Sequence, residues 1–146
     1  MLLQLESVAF RGRPLLAEQS LVSAMFAAEI DDLLLTAGHD LAIVRPPLVA
    51  DVTRRDERYV GISGKDIDVR SGDLSIRDDE DILSTIIYGP DYRTRLQKET
   101  SSVLFTTYAL PGISDADVES HLRGIEALVR ARCPTADTEL IAICRP

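Results

Sequence analysis

The sequence predicts an α+β fold: a mostly antiparallel sheet with a strand meander, packed by two long helices. Three observations carry this. Residues 17–37 and the stretch from Ser114 to about Cys133 place apolar side chains at three- and four-residue steps, the period of a helix with one buried face. Six or seven short segments alternate apolar with polar residues, or run β-branched, as strands do. The helices do not alternate with the strands, so the βαβ rhythm of a parallel sheet is missing.

The elements follow in order. Leu2, Leu3, Leu5 and Val8 suit a short helix, ended by Gly12 and Pro14. In 17–37, Val22, Phe26, Ile30, Leu33, Leu34 and Ala37 share one face, and Gly38 follows as a helix stop. Residues 41–44 are a brief apolar run, Pro46-Pro47 bars a helix, and 48–52 reads as a strand. Tyr59 to Ser63 alternates up to the hairpin signal Gly64-Lys65, and Ile67 and Val69 alternate up to Ser71-Gly72-Asp73. Leu74 and Ile76 continue the pattern, which predicts a three-stranded meander with one buried face. Asp78-Asp79-Glu80-Asp81 reads as a solvated turn, since it lacks the ligand spacing and glycine of a calcium loop. Residues 82–88 form a strand ended by Gly89-Pro90-Asp91, and 103–110 another stopped by Pro111-Gly112. Ser114 with Asp117 opens the last helix as a capping box, with Val118, Leu122, Ile125 and Val129 as its apolar stripe. Residues 140–144 close the chain as a strand.

A chain of 146 residues suits one domain spanning 1–146. Its net charge of −8 excludes coating of a nucleic-acid duplex, which needs clustered Lys and Arg, and disfavours an anionic membrane. No apolar run approaches the ~18–20 residues a bilayer requires. Cys133 and Cys144 have no CxxC spacing, and Met1-Leu2-Leu3-Gln4 meets Glu6 without a basic leader. They read as reduced, buried thiols of a cytoplasmic protein. Two histidines and two cysteines leave no basis for a metal centre, and no cofactor is expected.

The sequence holds no GxSxG, HExxH, P-loop or CxxC pair. A Ser-His-Asp site would have to use His39 or His121. His121 precedes Leu122 in the final helix and reads as a solvated or partly buried helix residue. His39 follows Gly38, where an imidazolium can meet a helix C-terminus and a loop can line a site. The densest positive patch is Arg93, Arg95 and Lys98, with Tyr88 and Tyr92 interleaved and Asp91 and Thr94 beside it. On an extended backbone Arg93 and Arg95 point to one side and Thr94 to the other. Either the paired guanidiniums grip a phosphate or carboxylate while a tyrosine stacks on a base or ring, or they neutralise the Asp78–Asp81 turn or Asp91 within the fold.

From about Leu15 to Ile143 these features resemble, in order, the editing domain of the phenylalanyl-tRNA synthetase β subunit and its free-standing relatives. Thr36-Ala37-Gly38-His39-Asp40-Leu41 resembles that family's glycine-containing loop after its helix. Tyr59-Val60-Gly61-Ile62-Ser63-Gly64-Lys65 and Ser71-Gly72-Asp73-Leu74-Ser75-Ile76 resemble its successive strands and turns. Asp91, Arg93-Thr94-Arg95 and Glu99-Thr100 are similar to its free-standing members.

The resemblance implies binding of an aminoacylated tRNA 3′ end and hydrolysis of a wrongly attached amino acid, an aminoacyl-tRNA deacylase activity. An aminoacyl ester is already activated, so an oriented water and backbone amides can suffice without a nucleophilic triad. A polar group bonding a tyrosine-like hydroxyl would give selectivity against phenylalanine. The substrate-binding residues would be His39, Tyr88, Asp91, Arg93, Thr94 and Arg95, with no catalytic residue assigned. The alternative is a noncatalytic binder of an amino-acid-like small molecule on the same scaffold. Ala24, Met25 and Phe26 stand where the family's helix is polar, and Ala42 stands where its loop histidine falls. The chain also starts late relative to the free-standing members, which implies either a domain shortened at its N-terminus or a start upstream of Met1. An apolar edge exposed in this way suits a homodimer.

Overall fold

The structure, a computed structural model, describes residues 20–144. The short helix expected at 2–8 and the first three positions of 17–37 lie outside those residues. The chain divides into two compact units, one holding 20–36 and 107–144 and the other 37–106. No helix among the described residues is long and apolar enough to cross a membrane.

The first unit contains two long helices, α1 (Ser20–Asp32) and α2 (Asp115–Arg132), which pack against each other. The capping box at the start of α2 forms as its sequence dictates. Ser114 Oγ accepts the Asp117 N–H at 3.1 Å, and the Asp117 carboxylate accepts the Ser114 N–H at 3.3 Å. Asp115 and Asp117 sit at the positive end of the helix, and Arg130 and Arg132 at the negative end. The helix stops at Cys133, whose N–H bonds Val129 O at 2.8 Å. Val118, His121 and Ile125 are its buried residues, while Leu122 is half-buried. His121 is therefore a core residue, not the solvated or partly buried one its neighbours suggest.

Helix α1 ends five residues before the expected Ala37, and Gly38 is not its stop. Leu33 turns into the left-handed region (φ 65°), its N–H still bonded to Glu29 O at 3.0 Å. Two side chains of the last turn then take the next backbone donors. Asp32 Oδ1 accepts the Leu34 N–H at 3.1 Å, and Glu29 Oε1 accepts the Thr36 N–H at 2.8 Å. The buried face carries Ser23, Ala24, Met25, Ala28 and Glu29 and leaves Ile30 and Leu33 exposed, rotating the apolar stripe read from the sequence. Residues 140–144 form no strand, and both cysteines are exposed, free thiols, contrary to the expected burial.

The strands are β1 (Thr36–Asp40), β2 (Val49–Val52), β3 (Arg58–Val60), β4 (Asp66–Asp68), β5 (Leu74–Arg77), β6 (Ile82–Thr85), β7 (Gly89–Pro90) and β8 (Val103–Thr107). β1 pairs with β8; Leu41 N–H bonds Ser102 O and Tyr108 N–H bonds Leu35 O, each at 3.0 Å, so the two run antiparallel. β2, β5, β6 and β7 form an antiparallel sheet in that order, and β3 with β4 a separate hairpin. Gly64, at φ 78°, occupies the hairpin turn its sequence called for.

The meander is present, but it runs through β5, β6 and β7. The strand at Leu74 does not continue the β3–β4 hairpin; it pairs with β2, Val52 opposite Leu74. Thr53 explains the switch. Its N–H bonds Asp73 O and its carbonyl takes the Gly72 N–H, both at 2.8 Å, while its hydroxyl donates to Arg70 O at 2.6 Å. These bonds fasten the 71–73 turn to the end of β2. All four β6 residues are buried, as in a central strand covered on both faces. That strand stops at Thr85, and Gly89-Pro90 forms a further strand instead of only ending it. Tyr59, Val69 and Ile82 form the buried cluster, with Ile67 packed against it.

Candidate functional site

Asp91 leaves β7 with its N–H on Leu83 O at 2.8 Å and a backbone bridge to Gly61. The spacing Asp91-Tyr92-Arg93-Thr94 then closes on itself as an Asx-type turn. Asp91 Oδ2 accepts the Thr94 N–H at 3.1 Å, and the Thr94 hydroxyl donates to Asp91 Oδ1. The segment is thus a turn, and the alternation assumed for an extended backbone does not apply. Thr94 O accepts the Asp40 N–H at 2.7 Å, which ties the turn to the end of β1.

This brings His39, Asp91 and Thr94 together. His39 Nδ1 lies 2.8 Å from Thr94 Oγ1 and 3.6 Å from Asp91 Oδ1. His39 and Thr94 have no exposed surface, and Asp91 is buried. Among the described residues His39 Nε2 is buried without a hydrogen-bond partner, a shortfall that costs about 1–3 kcal/mol.

Arg93 turns away to Asp78. Its Nη2 contacts both carboxylate oxygens, at 2.9 and 2.8 Å, while Nη1 reaches Glu80 Oε2 at 3.2 Å and Ile43 O at 3.3 Å. Its Nε stands 3.9 Å from Asp91 Oδ2. Asp78 also accepts the N–H groups of Arg45, Glu80 and Asp81 at 2.8 to 3.0 Å. Burial alone would raise its pKa; the Arg93 guanidinium and these backbone donors outweigh burial and hold the carboxyl at about 2. The 78–81 turn is therefore anchored through a buried Asp78, where its run of acidic residues suggested full solvation.

Arg95 lies apart from that network. Its guanidinium stacks 3.7 Å over the Tyr92 ring and donates to Tyr92 O at 2.7 Å. Tyr88 sits on the turn between β6 and β7, 37% exposed, its N–H on Thr85 Oγ1 at 3.1 Å.

Beside Asp91 lies a hollow of about 230 Å³ lined by Tyr59, Val60, Glu80, Asp81, Asp91, Tyr92 and Arg93. Two of the six residues expected to bind substrate, Asp91 and Arg93, line it. His39 and Thr94 stand behind Asp91, and Arg95 meets the hollow only through the Tyr92 ring. Tyr59, Glu80, Asp81 and Tyr92 were not among those six, although Tyr92 stood out in the sequence as part of the basic patch. Tyr59 carried a signal as the one aromatic at the head of an alternating strand. Its hydroxyl donates to Gly89 O at 2.6 Å, and burial pushes its pKa up to about 12, so it stays protonated. The lining is net acidic, because the single guanidinium is shared among Asp78, Glu80 and Asp91. Among the described residues, no group of three or more His, Cys, Asp or Glu side chains stands close enough to hold a metal.

The helical unit holds a second polar network. His121 Nδ1 lies 2.8 and 2.9 Å from the Asp32 oxygens, and His121 Nε2 lies 2.7 Å from Thr36 Oγ1. Thr36 Oγ1 is in turn 2.9 Å from Thr107 Oγ1. The order carboxylate, imidazole, hydroxyl is that of a nucleophile triad, but Thr36 is buried and fully bonded, so the arrangement fastens the exit of α1 to α2.

No protein-family model and no curated protein matches the chain. The crystal structure of an N-terminal fragment of the phenylalanyl-tRNA synthetase beta-subunit from Pyrococcus horikoshii is similar to it, with a TM-score of 0.65 at 15% identity. The match covers 82% of this chain and 42% of that one. At this identity the likeness is one of fold, and the chain spans less than half of that fragment.

Proposed function

We propose that this chain binds the aminoacylated 3′ end of a tRNA and receives the aminoacyl group in the Tyr59–Arg93 hollow. The observation that carries the reading is the lining: two tyrosines and three carboxylates around about 230 Å³. That volume lies below the ~300–1,000 Å³ of drug-sized pockets and suits one amino-acid-sized group. The carboxylates favour an α-ammonium through charge-assisted hydrogen bonds, and the ring faces favour the same cation. Arg93 is already committed to Asp78 and Glu80, so an anion would have to compete for it. The likeness of fold to a synthetase beta-subunit fragment supports the choice of aminoacyl-tRNA among ammonium-bearing ligands. Hydrolysis of the ester would follow from orientation of a water at the acyl carbon.

A second reading is a free amino-acid-like small molecule in the same hollow. It is favoured by the engagement of both arginines and the net charge of −8, which leave little for phosphates. Three ligands separate the readings: aminoacylated tRNA, the same tRNA uncharged, and L-tyrosine methyl ester. The first predicts binding of the charged tRNA well above the uncharged one, with loss of the tyrosyl group from tRNA specific for phenylalanine if the domain is catalytic. Binding of the ester with no preference for charged tRNA favours the second. If neither ester nor charged tRNA binds, both readings fail.

A further inference from the structure

We propose that His39 is a positioning residue for the ammonium site, acting through the Thr94 hydroxyl to hold the Asp91 carboxylate toward the hollow. This rests on the hollow being the ligand site. The hydroxyl of Thr94 has one proton, and it donates that proton in a hydrogen bond to Asp91 Oδ1. The 2.8 Å contact between Thr94 Oγ1 and His39 Nδ1 must then be an N–H donated by the ring. This fixes the neutral imidazole as the Nδ1–H tautomer and leaves a lone pair on Nε2, the atom buried without a partner among the described residues. The order is imidazole N–H to hydroxyl, hydroxyl O–H to carboxylate, and carboxylate to the hollow.

As packing alone, this histidine is a poor choice. An apolar side chain of similar size would fill a fully buried position on β1 without an orphan acceptor. Among the described residues the one hydrogen bond its ring makes is the one to Thr94, so the gain for which that acceptor is left unpaired lies on the Thr94–Asp91 side. Asp91 needs such support. Arg93 Nε stands 3.9 Å from its Oδ2 and would draw the carboxylate toward the Asp78 network. The Thr94 bond on Oδ1, reinforced by the ring behind it, opposes that pull and keeps lone pairs available to an ammonium.

The test uses the full chain with two probes, L-tyrosine methyl ester and its N-acetyl counterpart, which lacks the ammonium. The wild type should prefer the charged ester by about tenfold or more. His39→Leu should bring that preference close to one. His39→Asn, whose amide nitrogen stands where Nδ1 stands, should restore it, and His39→Gln should not. Thr94→Val supplies the same break should His39→Leu fail to fold. A preference unchanged in His39→Leu or Thr94→Val, or no recovery in His39→Asn, overturns the proposal. Long-range ¹H–¹⁵N spectra of the wild type give a readout independent of any ligand. An Nδ1–H ring with unprotonated Nε2, together with a shifted Asp91 carboxyl carbon in His39→Asn relative to His39→Gln, supports it. An Nε2–H ring overturns it. If the wild type shows the expected spectra but no preference between probes, the ligand reading fails while the His39–Thr94–Asp91 relay stands.

Discussion

Arg93 Nη2 sits between the two carboxylate oxygens of Asp78, at 2.9 and 2.8 Å, and Asp78 has no exposed side-chain surface. Removing one partner of such a pair leaves the other charge buried and uncompensated. Arg93→Ala should therefore destabilise the protein by about 3 kcal/mol, measured by urea unfolding. Arg95→Ala removes a half-exposed stack on Tyr92 and an exposed hydrogen bond to Tyr92 O and should cost under about 1 kcal/mol. Arg95→Ala is thus the clean variant for binding assays. Loss of binding in Arg93→Ala means something only if the variant is shown to be folded.

The same pair sets a pH dependence. The Asp78 carboxyl lies at about 2 in the folded protein, below its ordinary value of 3.8. A carboxylate depressed on folding contributes stability above its ordinary value and loses it as pH falls through the folded value. Stability should decline from about pH 4 to about pH 2, and this group accounts for about 2 kcal/mol of the decline. Asp78→Asn should be less stable at neutral pH and lack that part of the acid slope. An equally steep slope in the variant would assign it to other carboxylates.

His121 and Asp32 join residues 89 apart in sequence at the point where α1 ends. His121→Phe keeps the bulk but abandons Asp32 and Thr36, so it should cost about 2–3 kcal/mol. The cycle with Asp32→Asn should report a coupling of about 1 kcal/mol or more. A negligible coupling would reduce the contact to coincidental proximity.

That clasp also explains where the sequence could be read and where it could not. The capping box at Ser114, the hairpin around Gly64 and the strand at 49–52 depend on residues within a few positions of one another, and local pattern found them. The end of α1 depends on His121 and on Glu29 and Asp32 turning back to take backbone N–H groups. Meanwhile Leu33, Leu34 and Ala37 extend the helical period beyond Asp32. β1 is buried along its whole length, so it shows none of the alternation that marks a half-covered strand. Likewise the pairing of β5 with β2 is set by Thr53, which no reading of successive strands would select. Within the site, Asp91 and Thr94 were legible as candidate binding residues, but their closure into one turn was not. Glu80 and Asp81 acquire their place only when the Asp78–Arg93 bond draws the 78–81 turn against it, and Tyr92 through its N–H on Val60 O at 2.9 Å.

Glu29 gives a prediction of opposite sign. It is buried in α1, and burial pushes its carboxyl up from the usual range although it accepts the Thr36 N–H at 2.8 Å. A carboxyl raised on folding favours the folded state below its ordinary value, and that advantage is lost as pH rises through the folded value. The hydrogen bond needs only an acceptor, which glutamine's carbonyl oxygen supplies without a buried charge. Glu29→Gln should therefore be as stable as the wild type or up to about 1 kcal/mol more stable at pH 7, with the difference vanishing in acid. Glu29→Leu strands the Thr36 N–H and should cost about 1–3 kcal/mol at either pH. Thermal melts at pH 4 and pH 7 distinguish the two effects. A glutamine variant that is less stable at pH 7 would show that the charge itself, and not the acceptor, secures the exit of α1.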